Sequence, residues 1–235
     1  MNINPIAHIQ SPYRQKFAIP RQPGLVKAAR GEIIFEEAFA DPNCLREISQ
    51  FSHLWLLFHF HETSEEGWSP LVQPPRLGGR EKVGVFASRS TFRPNGLGMS
   101  VVENLGWTQE GKKLALKVGG IDLLDKTPII DIKPYVPYAD AIPGAQAGYA
   151  SDAPGNMIAV KFTEKAKQAL EKLKAIHADL QDLIVGVLQQ DPRPAWRHKT
   201  PDEKQYGMNL YDLNIRWRVE EDCIRVLSIT DQEAS

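Results

Sequence analysis

The chain has 235 residues, 42% of them hydrophobic and 24% charged, with a net charge of −1. That balance excludes a disordered polymer and leaves material for one sizeable core with a smaller unit attached. No run is apolar enough to span a bilayer, and the opening MNINPIAHIQSPYRQ lacks a basic head followed by an apolar stretch, so a cytoplasmic protein is expected, with no membrane partner. Cys44 and Cys223 stand apart, outside any Cys-x-x-Cys or Cys/His spacing, which argues against a disulfide framework or a zinc site.

Over the first 140 residues, short alternating or apolar runs are punctuated by Gly and Pro, the pattern of a sheet folded into a barrel or sandwich. The expected strands are Ile6–Gln10, Glu32–Phe35, Phe51–His61, Val83–Ala87, Leu97–Leu105, Leu114–Val118 and Pro128–Ile132. Asp41 followed by Pro42 predicts a short helix, with an acid at the cap and proline in the first turn. Residues 140–156 are polar and rich in Gly and Ala, and read as a linker. From Thr163, Ala166, Ala169, Leu170, Leu173 and Ile176 recur at helical spacing, and Leu180, Leu183, Ile184, Val187 and Leu188 repeat that spacing after a break near Asp179. A basic loop, DPRPAWRHK, precedes a strand with Tyr211, Leu213, Ile215, Trp217 and Val219 on one face. A turn at Glu220–Asp222 returns the chain through Ile224–Ile229. The expected fold is mainly β, a small single-sheet β-barrel in residues 1–145 with an appended α+β unit of two helices and a hairpin in 156–235. Strands do not alternate with helices, so a doubly wound parallel sheet is not expected.

Residues 76–100 concentrate chemistry. Arg76, Arg80, Lys82, Arg89 and Arg93 stand against one acid, Glu81, among glycines and the short polar groups of Ser88, Ser90, Thr91 and Asn95. Such a stretch suits an anionic or nucleotide-like ligand, the alternative being a loop of solvated arginines. In FSHLWLLFHFHE, His53, Trp55, Leu57, His59 and His61 share one face and Leu54, Leu56, Phe58, Phe60 and Glu62 the other, and both faces read as buried. His59 and His61 fit either two legs of a metal site or hydrogen-bonded imidazoles near a barrel mouth. The run GGIDLLDKTPIIDIKPY places Asp122, Asp125 and Asp131 with Lys133 and Tyr135 at strand ends, where acids accept from hydroxyl or ammonium groups. Asp125-Lys126-Thr127-Pro128 reads equally as a turn. In DPRPAWRHK, Arg193, Arg197, His198 and Lys199 surround Trp196, a mix that suits single-stranded RNA.

Taken together, PRQPGL, HLWLLFHFHE, PPRLGG, VGVFASRSTFRPN, IDLLD, DIKPY and DPRP resemble the TsaA-like family of tRNA adenosine N6-methyltransferases, known as TrmO in bacteria, from about Ile6 to Trp217. The resemblance implies a catalytic β-barrel unrelated to the Rossmann methyltransferases and S-adenosylmethionine as cofactor. The implied substrate is threonylcarbamoyl-adenosine 37 of threonine tRNA, and the implied assembly is a homodimer with the cofactor near the subunit interface. Carried over by position, the cofactor contacts would be Pro20, Arg21, Gln22, His61, Glu62, Arg89, Met99, Asp122, Leu123, Leu124 and Asp125. RNA would meet Arg76, Arg80, Arg93, Arg193, Arg197 and Lys199. The family pattern carries glutamine where Glu62 stands and Asn-Pro-Ile-Gly where this chain has Asn95-Gly96-Leu97-Gly98.

The acceptor nitrogen of such a substrate belongs to a urea-like group and is weakly nucleophilic, so a base is expected to assist, a contribution of typically ~10²–10⁴-fold. Asp131 is the first candidate, with Lys133 and Tyr135 acting together or His61 as alternatives. The threonyl carboxylate would need a cation such as Arg93, Lys133 or Arg193. The competing readings are a non-catalytic RNA- or nucleotide-binding module and a metal-dependent hydrolase built on His53, His59 and His61.

Overall fold

The computed structural model describes residues 3–78, 81–152, 157–193 and 204–232. In chain order the first part contains β1 (Ala7–Gln10), β2 (Arg30–Phe35), β3 (His53–His59), the two-residue strands β4 (Leu71–Val72) and β5 (Val83–Gly84), β6 (Leu97–Glu110), β7 (Lys113–Gly119) and β8 (Pro128–Pro134). Six of these close into an antiparallel barrel in the order β1-β2-β7-β6-β3-β8. Period-two alternation drives the closure. Ile9, Ile33, Leu54, Leu56, Leu114, Leu116 and Ile129 all point inward and are at most 1% exposed, each contributing about 1.5–3 kcal/mol of apolar burial.

Several elements depart from the sequence expectation. β3 is seven residues long, and only its inner face, Leu54, Leu56 and Phe58, is sealed; His53 is exposed, and Trp55, Leu57 and His59 are half-buried. The barrel explains this, because a wall strand has one side toward the core and the other outside. Val83–Ala87 is a two-residue strand paired to β4, followed by a 3-10 turn over Val85–Ala87. β6 runs on to Glu110 and hairpins tightly into β7. At Asp41-Pro42 the chain makes a 3-10 turn, Pro42–Leu45, in which the Asp41 carboxylate accepts from the Asn43 amide at 2.9 Å. Gly98 is required by packing: a Cβ there would lie 2.3 Å from the Phe58 ring, which crosses β6 at that point.

A single turn of helix, α1 (Pro137–Asp140), leaves the barrel. The C-terminal part then contains β9 (Ala159–Phe162), α2 (Glu164–Leu173), α3 (Leu180–Leu188), β10 (Gln205–Leu210), β11 (Leu213–Val219) and β12 (Cys223–Asp231). Both helices form, but α2 stops at Leu173, so Ile176, which the spacing placed on it, lies beyond its end at 74% exposure. Thr163 caps α2 by accepting from the Ala166 amide at 3.2 Å. The expected hairpin is the centre of a larger sheet, β10-β11-β12-β9, in which β9 pairs parallel to β12. Tyr211 belongs to the β10–β11 turn, with φ 53°, rather than to the strand. β9 and β10 escape the pattern because four residues abutting a helix, and six interrupted by polar side chains, carry little alternation.

One continuous core joins the two sheets. Gly186 of α3 lies so close to Val26 that a Cβ would meet it at 2.7 Å. The tip of the β10–β11 hairpin sits on the N-terminal segment, where the Tyr211 amide donates to the Pro12 carbonyl at 2.8 Å and Arg14 Nε to the Tyr211 carbonyl at 3.2 Å.

Candidate active site at the end of the barrel

Where β7 ends, Gly119-Gly120 lets the chain turn sharply, with Gly120 at φ +66°. The Gly120 carbonyl accepts from the Gly24 amide at 2.8 Å, and its amide donates to Ala29, which draws the segment after Pro20 against this corner. Ile121 and Leu123 are driven into the core at 0% and 1% exposure, and Asp122 between them is carried into a largely dry position. Its Oδ1 accepts from Ser100 Oγ at 2.7 Å, and Ser100 is an inward-facing residue of β6, 2% exposed. Burial pushes the Asp122 carboxyl up to about 6, while the Ser100 hydrogen bond, a backbone hydrogen bond and the charge of Arg89 oppose the rise. Arg89 in turn donates to Gln22 Oε1. Three segments far apart in sequence, Gln22, Arg89 and the Ser100–Asp122 pair, thus meet with a guanidinium and an incompletely solvated carboxylate.

The neighbouring residues of the IDLLD run are engaged in holding the chain. The Leu123 carbonyl accepts from Ser11 Oγ at 2.8 Å, and the Leu124 carbonyl from Thr127 Oγ1 at 2.7 Å. Asp125 accepts from the Ser11 amide at 2.9 Å and from Arg14. Of the two readings open for Asp125, the structure has it closing a turn, with Lys126 following at φ 63°.

Pro20 and Arg21 line an adjacent cleft of about 510 Å³ between the N-terminal segment, the loop at Gln73–Gly78 and the end of α3. Burial lowers the proton affinity of the Arg21 guanidinium, and the charge of Asp191 across the cleft opposes that effect. His61 and Glu62 lie just beyond β3, with Nε2 and Oε1 3.7 Å apart and Glu62 largely exposed. Among the described residues, no group of three or more His, Cys, Asp or Glu side chains is placed to hold a metal ion.

Met99, Asp131, Lys133 and Tyr135 are not part of the Asp122 cluster. Strand register pairs Leu57 with both Met99 and Asp131, and Trp55 with Val101 and Lys133, so these side chains share the outer surface of the wall whose inner side carries Ser100. Asp131 Oδ1 accepts from the Ile132 amide at 2.9 Å. The Tyr135 ring lies against Trp55, with centroids 5.9 Å apart. This outer surface is unusually apolar for solvent: Met99 is 54% exposed and Leu97 40%.

The arginines expected at RNA divide three ways. Arg76 donates to the Asp152 carbonyl, and Arg93 to the carbonyls of Val85 at 3.2 Å and Ser88 at 2.7 Å; both sit at the surface but brace local backbone. Arg193 is the correction. It is 3% exposed and makes a two-pronged ion pair with Asp191, with Nε to Oδ1 at 2.8 Å and Nη2 to Oδ2 at 2.7 Å, so its charge is spent inside the protein. Arg80, Arg197 and Lys199, together with Trp196 and His198, lie outside the described residues. Sequence reasoning passed over Ser11, Arg14 and Ser100. Ser100 was legible as a hydroxyl two residues from Val102 on the inner face of β6, and Ser11 and Arg14 had no local signal.

Comparison with known proteins agrees with this architecture. The family model for the tRNA-methyltransferase O N-terminal domain matches residues 8–141, and that for the TrmO C-terminal domain matches residues 155–232. The chain is 47% identical over 224 residues to a tRNA (adenine(37)-N6)-methyltransferase of Escherichia coli K12, covering 95% of each chain. It is 46% identical over 230 residues to a Pseudomonas aeruginosa protein named "Putative S-adenosylmethionine-dependent methyltransferase RcsF", covering 97% of each. A crystal structure of TrmO from Pseudomonas aeruginosa superposes with a TM-score of 0.80 at 42% identity, covering 98% of this chain and 97% of that one. With both family domains matched in order along the chain and the barrel and second sheet in place, the chain belongs to the TrmO family of tRNA methyltransferases.

Proposed function

We propose that this protein transfers a methyl group from S-adenosylmethionine to N6 of threonylcarbamoyl-adenosine 37 in threonine tRNA. The observation that carries the reading is the meeting of Gln22, an exposed Arg89, the buried Ser100 and a half-buried Asp122 at one corner of the barrel, within a chain 47% identical to an enzyme named for adenine-37 N6 methylation. The donor set fits the cofactor. Arg89 suits a carboxylate, and Asp122 suits hydroxyl or ammonium donors. When bound, S-adenosylmethionine supplies an electrophilic methyl carried on a sulfonium. Arg89 and Asp122 hold that molecule's polar ends, and Pro20, Arg21, Gln22, His61 and Glu62 are its further neighbours in this reading.

Asp131 takes the proton of the acceptor N6, with Lys133 and Tyr135 beside it on the outer surface of the wall. A second copy seated on the apolar face formed by Trp55, Leu57, Leu97 and Met99 makes this row part of a site between subunits, which supports a homodimer. The protein acts in the cytoplasm, where tRNA is modified. Calorimetry with S-adenosylmethionine should show one site per chain, and mass spectrometry of threonine tRNA from a deletion strain should show the methyl missing. An unchanged nucleoside would remove the activity, and the absence of cofactor binding would favour a non-catalytic RNA-binding module. Light scattering should give twice the chain mass of 26.4 kDa.

A further inference from the structure

Phe86 is 78% exposed, although both of its neighbours are anchored. Val85 before it is 2% exposed, and the Ala87 carbonyl after it accepts from Tyr149 Oη at 3.0 Å. The turn between them is clamped. The Val85 carbonyl accepts from Ser88 Oγ at 2.8 Å and from Arg93 at 3.2 Å, and the Ser88 carbonyl accepts from Arg93 at 2.7 Å. The same Arg93 guanidinium lies 5.9 Å from the centre of the Phe86 ring. Single exposed hydrophobic residues are ordinary, but Phe86 is not isolated, since Trp68 and Leu71 are exposed on the strip paired to β5 just before it. Here the backbone on both sides of the ring is hydrogen-bonded, so the turn presents Phe86 to solvent without having to rearrange on binding.

The surroundings say which partner. Residues 83–95 contain Arg89 and Arg93 and no acid. Phe86 is three residues from Arg89, which donates to Gln22 and whose charge acts on Asp122. Beside it, the Val85 amide donates to the Pro70 carbonyl at 3.0 Å, and that strip carries Trp68 at 57% and Leu71 at 53% exposure. A ring held open beside guanidinium groups is what single-stranded nucleic acid requires: the π-face stacks on a base while the cations meet its phosphates. A second copy of the chain would bury the ring equally well, but a stretch with two arginines and no acid favours an anionic partner.

We propose that Phe86 is a stacking platform for an unpaired anticodon-loop base next to the acceptor adenosine, which rests on the tRNA methyltransferase reading above. In this arrangement the acceptor base passes the platform toward Arg89, and the stacked neighbour sets how far it reaches. Loss of one base stack weakens binding by about tenfold.

The test uses the full-length protein and an anticodon stem-loop RNA with 2-aminopurine beside the acceptor position. Wild type and Phe86→Trp should quench the fluorophore on binding. Phe86→Ala should lose the quench and raise the KM for tRNA about tenfold, with the calorimetric affinity for S-adenosylmethionine and the circular-dichroism melt unchanged. An undiminished quench and KM in Phe86→Ala would overturn the proposal. Conversion of a dimer to a monomer by Phe86→Ala would also overturn it, by placing a second copy on the ring. If wild type quenches the probe yet transfers no methyl to threonine tRNA, the enzymatic reading fails while the stacking platform stands.

Discussion

Asp122 and Asp191 are both carboxylates withdrawn from water, one at the open corner of the barrel and the other where α3 runs into the C-terminal part. Asp191 is 4% exposed and meets Arg193 through two parallel hydrogen bonds, with its backbone held at φ 48°. Asp122 has a hydroxyl donor in Ser100, one backbone hydrogen bond and the charge of Arg89, without a cation among the described residues paired to it directly, and its carboxyl is pushed up to about 6. Burial is similar in kind, but the completeness of pairing differs. A buried acid with its own two-pronged cation contributes to architecture, whereas one left short of donors is poised for a ligand that brings them.

The largest effect should come from breaking the paired site. Replacing Asp191 by Ala removes both hydrogen bonds that its carboxylate accepts from the buried Arg193 guanidinium, and we expect a loss of about 3 kcal/mol in urea unfolding. A loss below about 1 kcal/mol would show that water reaches the corner and would erase the contrast with Asp122.

Next in size is Asp122→Asn. Between the unfolded carboxyl value near 4 and the folded value of about 6, the native state holds a proton that the unfolded state has released, so stability falls as pH rises through that window. Asn removes the penalty. We expect the variant to be more stable than wild type at pH 7 by up to about 3 kcal/mol, to show no advantage near pH 3.5, and to bind S-adenosylmethionine more weakly. Thermal melts at the two pH values check the first part and calorimetry the second. In wild type, cofactor affinity should decline as pH is lowered through 6, when Asp122 takes up its proton.

Arg89→Ala should lower cofactor affinity about ten- to a hundredfold, the worth of a charge-assisted hydrogen bond, with the melting temperature nearly unchanged. A collapse in stability instead would mean that Arg89 belongs with Arg193 as an architectural cation. The smallest effect marks the baseline: Lys167→Ala removes an exposed ion pair with Glu164 on α2 and should change stability by less than about 0.5 kcal/mol.

The barrel was legible because inward positions such as Leu54, Leu56 and Phe58 recur every second residue, and the two helices because Ala166, Leu170, Leu183 and Val187 recur at helical spacing. Gln22, Arg89 and Asp122 were singled out by motif resemblance, and the fold brings them to one corner. The turn at Asp125 was one of two readings the sequence left open, whereas that Arg193 is internal was not legible, since DPR looks at home at a surface.

The sequence by itself determined the period of each element, and hence which side chains share a face, because that geometry repeats within a few residues. Only the tertiary structure decided which charges are satisfied. Ser11 and Asp125 are 114 positions apart, Gln22 and Arg89 67, and Ser100 and Asp122 22. Whether a carboxylate meets a donor across such distances depends on how the barrel closes and where α3 docks, and no local pattern encodes that. For the same reason the contrast between Asp122 and Asp191, two aspartates in motifs of similar appearance, became visible only in the folded chain.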